Sequence, residues 1–344
     1  LLYLRFLQKV LPLFTNFTKD YMQVQEVFIK KLKETVSPNV SLSEELADLL
    51  GISSDSAYRR LRNETEFTLK EVHTISKHFN ISVDSLFAFN NDFVTCNYIK
   101  LTDSAENFEK YLSGLAGQLK ILKQLQNRKI IYAAEEVPIF HSLGTDPMRA
   151  FKLFYWQRSV LNVPEYQNIK FTLDLIPKKL LEIASEINEY YKHVPSIEIW
   201  TDNTILTTVK QIEFYFESGA FKDKEDALLV LEHLHIMVNS LNNYCEHDSK
   251  IKEENFKLYN SDLVIGTNCI HISTEQYNSS YISFNTLNSL TSTNRVFCEE
   301  IEHWMKNLMK KSTLISGSAE KQRFRFFNNM RKHISACEER IKNY

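Results

Sequence analysis

Ser54, Asp55, Ser56, Tyr58, Arg59 and Arg62 fall within one short stretch and bring together hydroxyl, carboxylate, phenol and guanidinium groups. Such groups hydrogen-bond the edges of base pairs and the phosphates between them, and a helix is the element that fits a major groove. Their expected chemistry is recognition of double-stranded DNA, with no bond made or broken. A second set, Lys321, Arg323 and Arg325, follows the turn Ser316, Gly317, Ser318. Amides at a helix N-terminus backed by cations can hold an anion, either a phosphorylated effector or the DNA backbone. The plainer reading is a solvated basic face, because residues 306–342 carry ten Lys and Arg against three Glu and follow the acids Glu299, Glu300 and Glu302.

Other reactive side chains are less organised. Glu135, Glu136 and His141 are acid–base types, but no nucleophile, metal motif or cofactor motif stands near them, so hydrogen bonding at the end of a strand is the expected role. His233 and His235 are two apart, which on a helix turns them to different faces, and His247 lies well beyond. The five cysteines form no CxxC pair, as suits reduced thiols in a cytoplasm better than a disulfide framework or a zinc site. Trp156, Trp200 and Trp304 line an apolar pocket or fill a core. No Gly-rich phosphate loop occurs, so no cofactor, metal or catalytic step is expected.

The segment SEELADLLGISSDSAYRRLRN, residues 43–63, supplies the elements that position the first set. Ser43 suits an N-cap, Glu44 and Glu45 suit the positive end of a helix, and Leu46, Leu49 and Leu50 make an apolar stripe. Ala47 is small where a second helix crosses, Gly51 can take the positive φ of a tight corner, and Ile52 plugs that corner. Ser53 or Ser54 caps a second helix in which Ala57 and Leu61, one turn apart, face inward. The six polar residues are left on the outer side. A preceding helix carries Val27, Ile29, Leu32 and Val36; a following one, capped by Thr68, carries Leu69, Val72, Ile75 and Phe79 and is ended by Asn80; Ser82 caps a short turn over VDSLF.

Five helices in this order over residues 27–87 resemble the Cro/C1-type, lambda-repressor-like domain. Through LADLLGIS, SSDSAYRRLRN and TLKEVHTISKHFNISVDSLF the chain is most similar to BetR-like helix-turn-helix regulators. The resemblance implies a DNA-binding transcriptional regulator. Ala57 stands where many members of the wider family carry a branched aliphatic residue, so Tyr58 or Leu61 is expected to supply core volume; if Tyr58 turned inward it would read no base.

The totals bound the rest. A chain of 344 residues that is 43% hydrophobic can build more than one core. The formal net charge is −2, and residues 22–90 carry eight Lys and Arg against ten Asp and Glu. Positive potential must come from Arg59, Arg60 and Arg62 with Lys30, Lys31 and Lys33 nearby, and weak charge predicts weak non-specific affinity, so a homodimer on a two-fold operator is expected. Residues 1–21 read as translated upstream sequence with Met22 as natural start; the alternative is a truncated membrane anchor, although the apolar run is broken by Arg5 and Lys9 and is too short to span a bilayer. No membrane partner is expected.

Residues 22–90 are thus the helix-turn-helix domain. Residues 91–128 are a linker and a helix, capped by Ser104 and running to about Asn127, whose seam of Phe108, Leu112, Leu115, Leu119 and Leu122 suits chain pairing or packing on the following domain. Gly114 and Gly117 loosen this helix and permit close contact. Residues 129–344 are a larger α+β unit that senses an unidentified small-molecule effector or mediates assembly. Its strands are expected at KIIYA and VPIF and in an antiparallel meander over FKLY, DLVIG, CIHIS and YISFN, and its last helices at residues 294–314 and 318–343, the latter capped by Ser318. The fold class is therefore mainly α with a small antiparallel sheet. The alternative function is a protein-interaction module whose helix-turn-helix bundle has lost DNA contact.

Overall fold

The computed structural model describes residues 25–33, 41–79, 81, 83, 94–251 and 254–344. The chain divides into two compact units, Leu1–Thr95 and Cys96–Tyr344. The proposed upstream segment, residues 1–21, and most of the expected fifth helix over VDSLF lie outside the described residues.

In the first unit, helix α1 (residues 25–33) is followed by α2 (Leu42–Leu50), α3 (Ser54–Leu61) and α4 (Leu69–His78). The cap of α2 is Ser41, and Ser43 lies inside the helix, its hydroxyl 3.1 Å from that of Ser41. Gly51 closes α2 at φ +65°, and Ile52 donates its amide to the carbonyl of Ala47. This left-handed residue makes the corner possible, since a Cβ is disfavoured at that φ. Phe28, Leu32, Leu46, Ala47, Ala57, Ile75 and Ile81 form the core, with Leu49, Leu50, Ile52, Leu61 and Phe67 packed around it.

The second unit is built on a mixed sheet, which corrects the expected small antiparallel one. Strands β1 (Lys129–Ala133), β2 (Ser196–Trp200), β3 (Ser249–Ile251), β4 (Glu254–Asn260), β5 (Cys269–Ser273), β6 (Asn278–Ser283) and β7 (Ser289–Ser292) lie in the order β3-β4-β2-β1-β5-β6-β7, and β8 (Thr313–Leu314) pairs with β4. Its centre is parallel, with Ile131 opposite Ile197 and Ile197 opposite Lys257. The meander β5-β6-β7 extends it in antiparallel fashion from β1. FKLY therefore belongs to β4 beside β2, not to the meander. Two helical connections account for this. One, α6 (Ile139–Ser142), α7 (Asp146–Tyr155) and α8 (Lys178–Lys192), joins β1 to β2; the other, α9 (Leu206–Glu217) and α10 (Lys224–Glu246), precedes β3 and β4. A helix between strands returns the chain in the same direction, which a tight hairpin cannot do. VPIF, expected as a strand, turns at Pro138 into α6, and DLVIG is a loop whose Val264 is exposed.

Alternate residues of the central strands face two layers. Ile130, Tyr132, Trp200, Phe256 and Leu258 join the main core with the helices α6–α10, while Ile131, Ala133 and Ile199 meet Met305 and Leu308 of α11 (Arg295–Lys310) on the other side. Helix α12 (Glu320–Asn343) contributes Phe326, Phe327, Met330 and Ile334 to the main core.

Helix α5 (Ala105–Leu122), capped by Ser104 through the amide of Asn107, belongs to this unit and packs along α8. Phe108, Leu112, Leu119 and Leu122 are buried in the main core and Leu115 packs against it. The seam read as a pairing surface is consequently covered by its own domain; a spacing of four and three describes any helix with one buried stripe. No neighbouring atom lies within 4 Å of where a Cβ would stand on Gly114 or Gly117, so neither serves close helix contact among the described residues.

Candidate nucleic-acid interface

Helix α3 is held by three devices. The Ser53 hydroxyl accepts from the Ser56 amide at 3.2 Å and closes the first turn. Ala57 is fully buried against α2, and Leu61 fills the rest of the inward face. Arg60 turns inward as well. Its guanidinium donates to Glu71 at 3.0 Å and to the carbonyl of Ser56 at 3.2 Å. Glu71 also completes a capping box with Thr68 at the start of α4. Burial alone would raise the Glu71 carboxyl, but the Thr68 amide and Arg60 outweigh it and hold the group below its ordinary value. Arg60 is thus a pin between α3 and α4 and leaves the expected cluster of free arginines.

Five of the six residues singled out by type lie together on the opposite side. Ser54, Asp55, Tyr58, Arg59 and Arg62 are exposed, and Ser56 is half-buried with its hydroxyl bonded to that of Ser53. Tyr58 is 52% exposed, so its phenol is free for recognition, and Leu61 is the residue that fills the core. Arg59 pairs with Asp55 at 3.1 Å and Arg62 with Glu64 at 3.1 Å. The Arg62 guanidinium also lies 5.7 Å from the centre of the Tyr58 ring. Exposed ion pairs of this sort contribute at most about 1 kcal/mol, so a phosphate or a base edge can displace them.

Asn63 ends α3 in a left-handed conformation, φ 62°. Its side-chain oxygen accepts from Gln25 at 2.7 Å, and Gln25 accepts the Phe67 amide at 2.8 Å. These bonds draw α1 against the end of α3. An open cleft of about 540 Å³ lies between them, lined by Glu26, Ile29, Lys30, Lys33, Leu61 and Arg62.

The other candidate set does not converge. Arg323 is 8% exposed and donates to the carbonyl of Gly317 at 2.6 Å, whereas Lys321 and Arg325 are exposed. The turn at Gly317, φ +66°, gives its amide to the carbonyl of Cys245. A Cβ added there would come within 2.9 Å of an Asp248 carboxylate oxygen. Helix α12 begins after Ala319, and no side chain caps it, so Ser318 is not the cap.

His141 accompanies a residue that had not been singled out. Glu198, fully buried on β2, takes His141 Nε2 at 2.7 Å and the Tyr191 hydroxyl at 2.5 Å on one oxygen and Trp200 Nε1 at 2.8 Å on the other. Lys250 lies alongside, donating to the carbonyls of Tyr191 and Val194 and to Ser196, with its ammonium 3.8 Å from the centre of the Tyr191 ring. The available signal was an acid inside the apolar strand SIEIW. Glu135 and Glu136 follow β1 with their amides held by Asn268. Burial raises the Glu136 carboxyl against the opposing pull of Lys152.

Lys152 is itself buried in α7 and donates to Thr208 and Gln211. Burial pushes its ammonium down to about 8, against the pull of Glu136. Because the folded value lies below the unfolded one, Lys152 destabilises the fold most below pH 8, and the penalty vanishes as the pH rises through the ordinary lysine range. Lys152→Met is therefore expected to gain about 3 kcal/mol relative to wild type at pH 7 compared with its relative stability above pH 10. Urea unfolding of both proteins at the two pH values measures this; a difference independent of pH would remove the buried charge as its cause. The loss of partners for Thr208 and Gln211 is common to both pH values.

Trp156 and Trp200 fill the core, and Trp304 is exposed on α11. His233 and His235 lie on α10, with His235 3.9 Å from Glu338 of α12. Among the described residues no three His, Cys, Asp or Glu gather as metal ligands, and no helix is long and apolar enough to cross a membrane. All five cysteines are free, Cys96 exposed and the others buried. An open cleft of about 440 Å³ in the second unit is lined by Asp146, Arg149, Leu173, Lys178, Leu181 and Glu182.

Neither a curated protein nor a solved structure matches the chain significantly. Residues 22–101 match the family model of the BetR domain, which spans the four described helices and their corner at Gly51. Residues 22–101 are thus similar to the BetR domain, a helix-turn-helix type of DNA-binding domain.

Proposed function

We propose that the protein is a sequence-specific transcriptional regulator that reads double-stranded DNA with α3. The observation that carries this reading is the separation of the helix into two sides. Ala57, Arg60 and Leu61 hold it to the domain, and Ser54, Asp55, Tyr58, Arg59 and Arg62 face solvent together. A rigidly seated helix with a free polar face can enter a major groove without reorganising. Two copies on a two-fold operator would compensate the low charge of one domain. Their pairing uses a surface other than the seam of α5.

The second unit is proposed as the regulatory part, cytoplasmic like the DNA it acts on. The cleft beside Arg149 and Lys178 is a place for a small effector to bind and shift the population of paired copies. No catalytic step is assigned. Selection of bound sequences from random duplexes, using the full chain with and without small molecules of a cell extract, tests the proposal. Enrichment of a palindrome is expected. Failure to enrich any sequence would sink it in favour of a protein-interaction module, a reading supported by the pairing of Arg59, Arg60 and Arg62 with carboxylates.

A further inference from the structure

The three arginines of the α3 segment bring little unbalanced charge to a polyanion, because each has its own carboxylate: Asp55 for Arg59, Glu71 for Arg60 and Glu64 for Arg62. Lys30 and Lys33 of α1 differ. Both are exposed, and among the described residues neither has a carboxylate within 4 Å. Both line the cleft against the end of α3, where Arg62 is the opposite wall and Ile29 and Leu61 are part of the lining. Lys30 and Lys33 follow Glu26 by four and seven residues, so the three share one stripe of α1. Glu26 leans to Asn63, with its carboxylate 3.5 Å from the side-chain amide.

We infer that Lys30 and Lys33, with Arg62, form an anchor for consecutive phosphates of the DNA backbone beside the C-terminal end of α3. The inference rests on the proposed reading of DNA and deepens it. Compact ammonium groups on flexible stems suit phosphate as point charges, whereas base edges ask for fixed bidentate geometry. Arg62 connects the two regions. It touches Tyr58 on the outward side of α3 and lines the cleft on the other. A backbone held at the C-terminal end fixes how deeply the N-terminal residues Ser54 and Asp55 enter the groove, and carries no sequence information itself.

The test is equilibrium binding of the full chain, followed by fluorescence anisotropy, to a duplex enriched by selection and to a random duplex over a series of salt concentrations. For Lys30→Ala/Lys33→Ala the affinity for both duplexes is expected to fall by a similar factor, roughly tenfold at low salt, and the salt slope by about two. Lys30→Arg/Lys33→Arg should keep the slope, which separates loss of charge from damage to α1. Glu26→Gln should raise the affinity for both duplexes. An unchanged slope in the alanine variant, or a loss confined to the enriched duplex, overturns the anchor while leaving the reading of DNA intact. If the wild-type chain binds neither duplex, anchor and regulator fail together.

Discussion

Glu198→Ala is expected to destabilise the second unit by about 3–5 kcal/mol, the cost of removing one partner from a buried ionic network. The carboxylate accepts from His141, Tyr191 and Trp200, and the substitution leaves all three donors buried without it. It also removes a buried negative charge that attracts Lys250. Glu198→Gln keeps the shape but turns an amide donor toward other donors, so a smaller loss of the same kind is expected. All three tryptophans lie in the second unit, so tryptophan fluorescence during urea unfolding follows that unit alone.

The pH dependence has a definite sign. Burial would raise the Glu198 carboxyl, but His141, Tyr191 and Lys250 together hold it below its ordinary value. A depressed carboxyl stabilises the fold above the unfolded pKa, and this contribution is lost as the pH falls through the folded value. The difference between wild type and Glu198→Ala should therefore be full at neutral pH and shrink in acid. A loss under about 1 kcal/mol at pH 7 would mean that the network relaxes around the substitution.

Arg59→Ala/Arg62→Ala is expected to reduce affinity for the selected duplex roughly a hundredfold, from about 1–3 kcal/mol for each base or phosphate contact removed. The fold should be indifferent to it. Both side chains are exposed, and their pairs with Asp55 and Glu64 contribute little. Competition between the selected and a random duplex separates specific from non-specific loss. The double variant should lose preference through Arg59 and weaken binding to both through Arg62, whereas the lysines of α1 act on both alike. Binding unchanged by the double variant would show that α3 is not the reader.

The helix-turn-helix was legible from residues 43–63 because every device in it is local. A glycine at a left-handed corner, a serine cap and apolar residues three or four apart are fixed by neighbours within one or two turns. The sides on which Tyr58 and Leu61 fall follow from the same period, with only the burial needed to settle them. Arg60 was not legible as a pin, because its partner Glu71 lies on the next helix and nothing in the spacing distinguishes it from Arg59 or Arg62.

The second unit divides in the same way. Helices α11 and α12 and strands β1, β5 and β6 stand close to where their apolar patterns place them. The pairing of the strands was decided at longer range: β4 adds to β2 across the long helices α9 and α10, and a strand's pattern states which residues are buried but not which neighbour it joins. Likewise the seam of α5 specifies a buried stripe and leaves its cover open, and α8 supplies that cover. By itself the sequence determined helix α3, its serine cap and its outward residues, because these depend on contacts within a few positions. Only the tertiary structure decided the cleft of Lys30, Lys33 and Arg62 and the burial of Glu198 among His141, Tyr191 and Lys250, since each of these joins residues brought together from separate elements by the packing of a core.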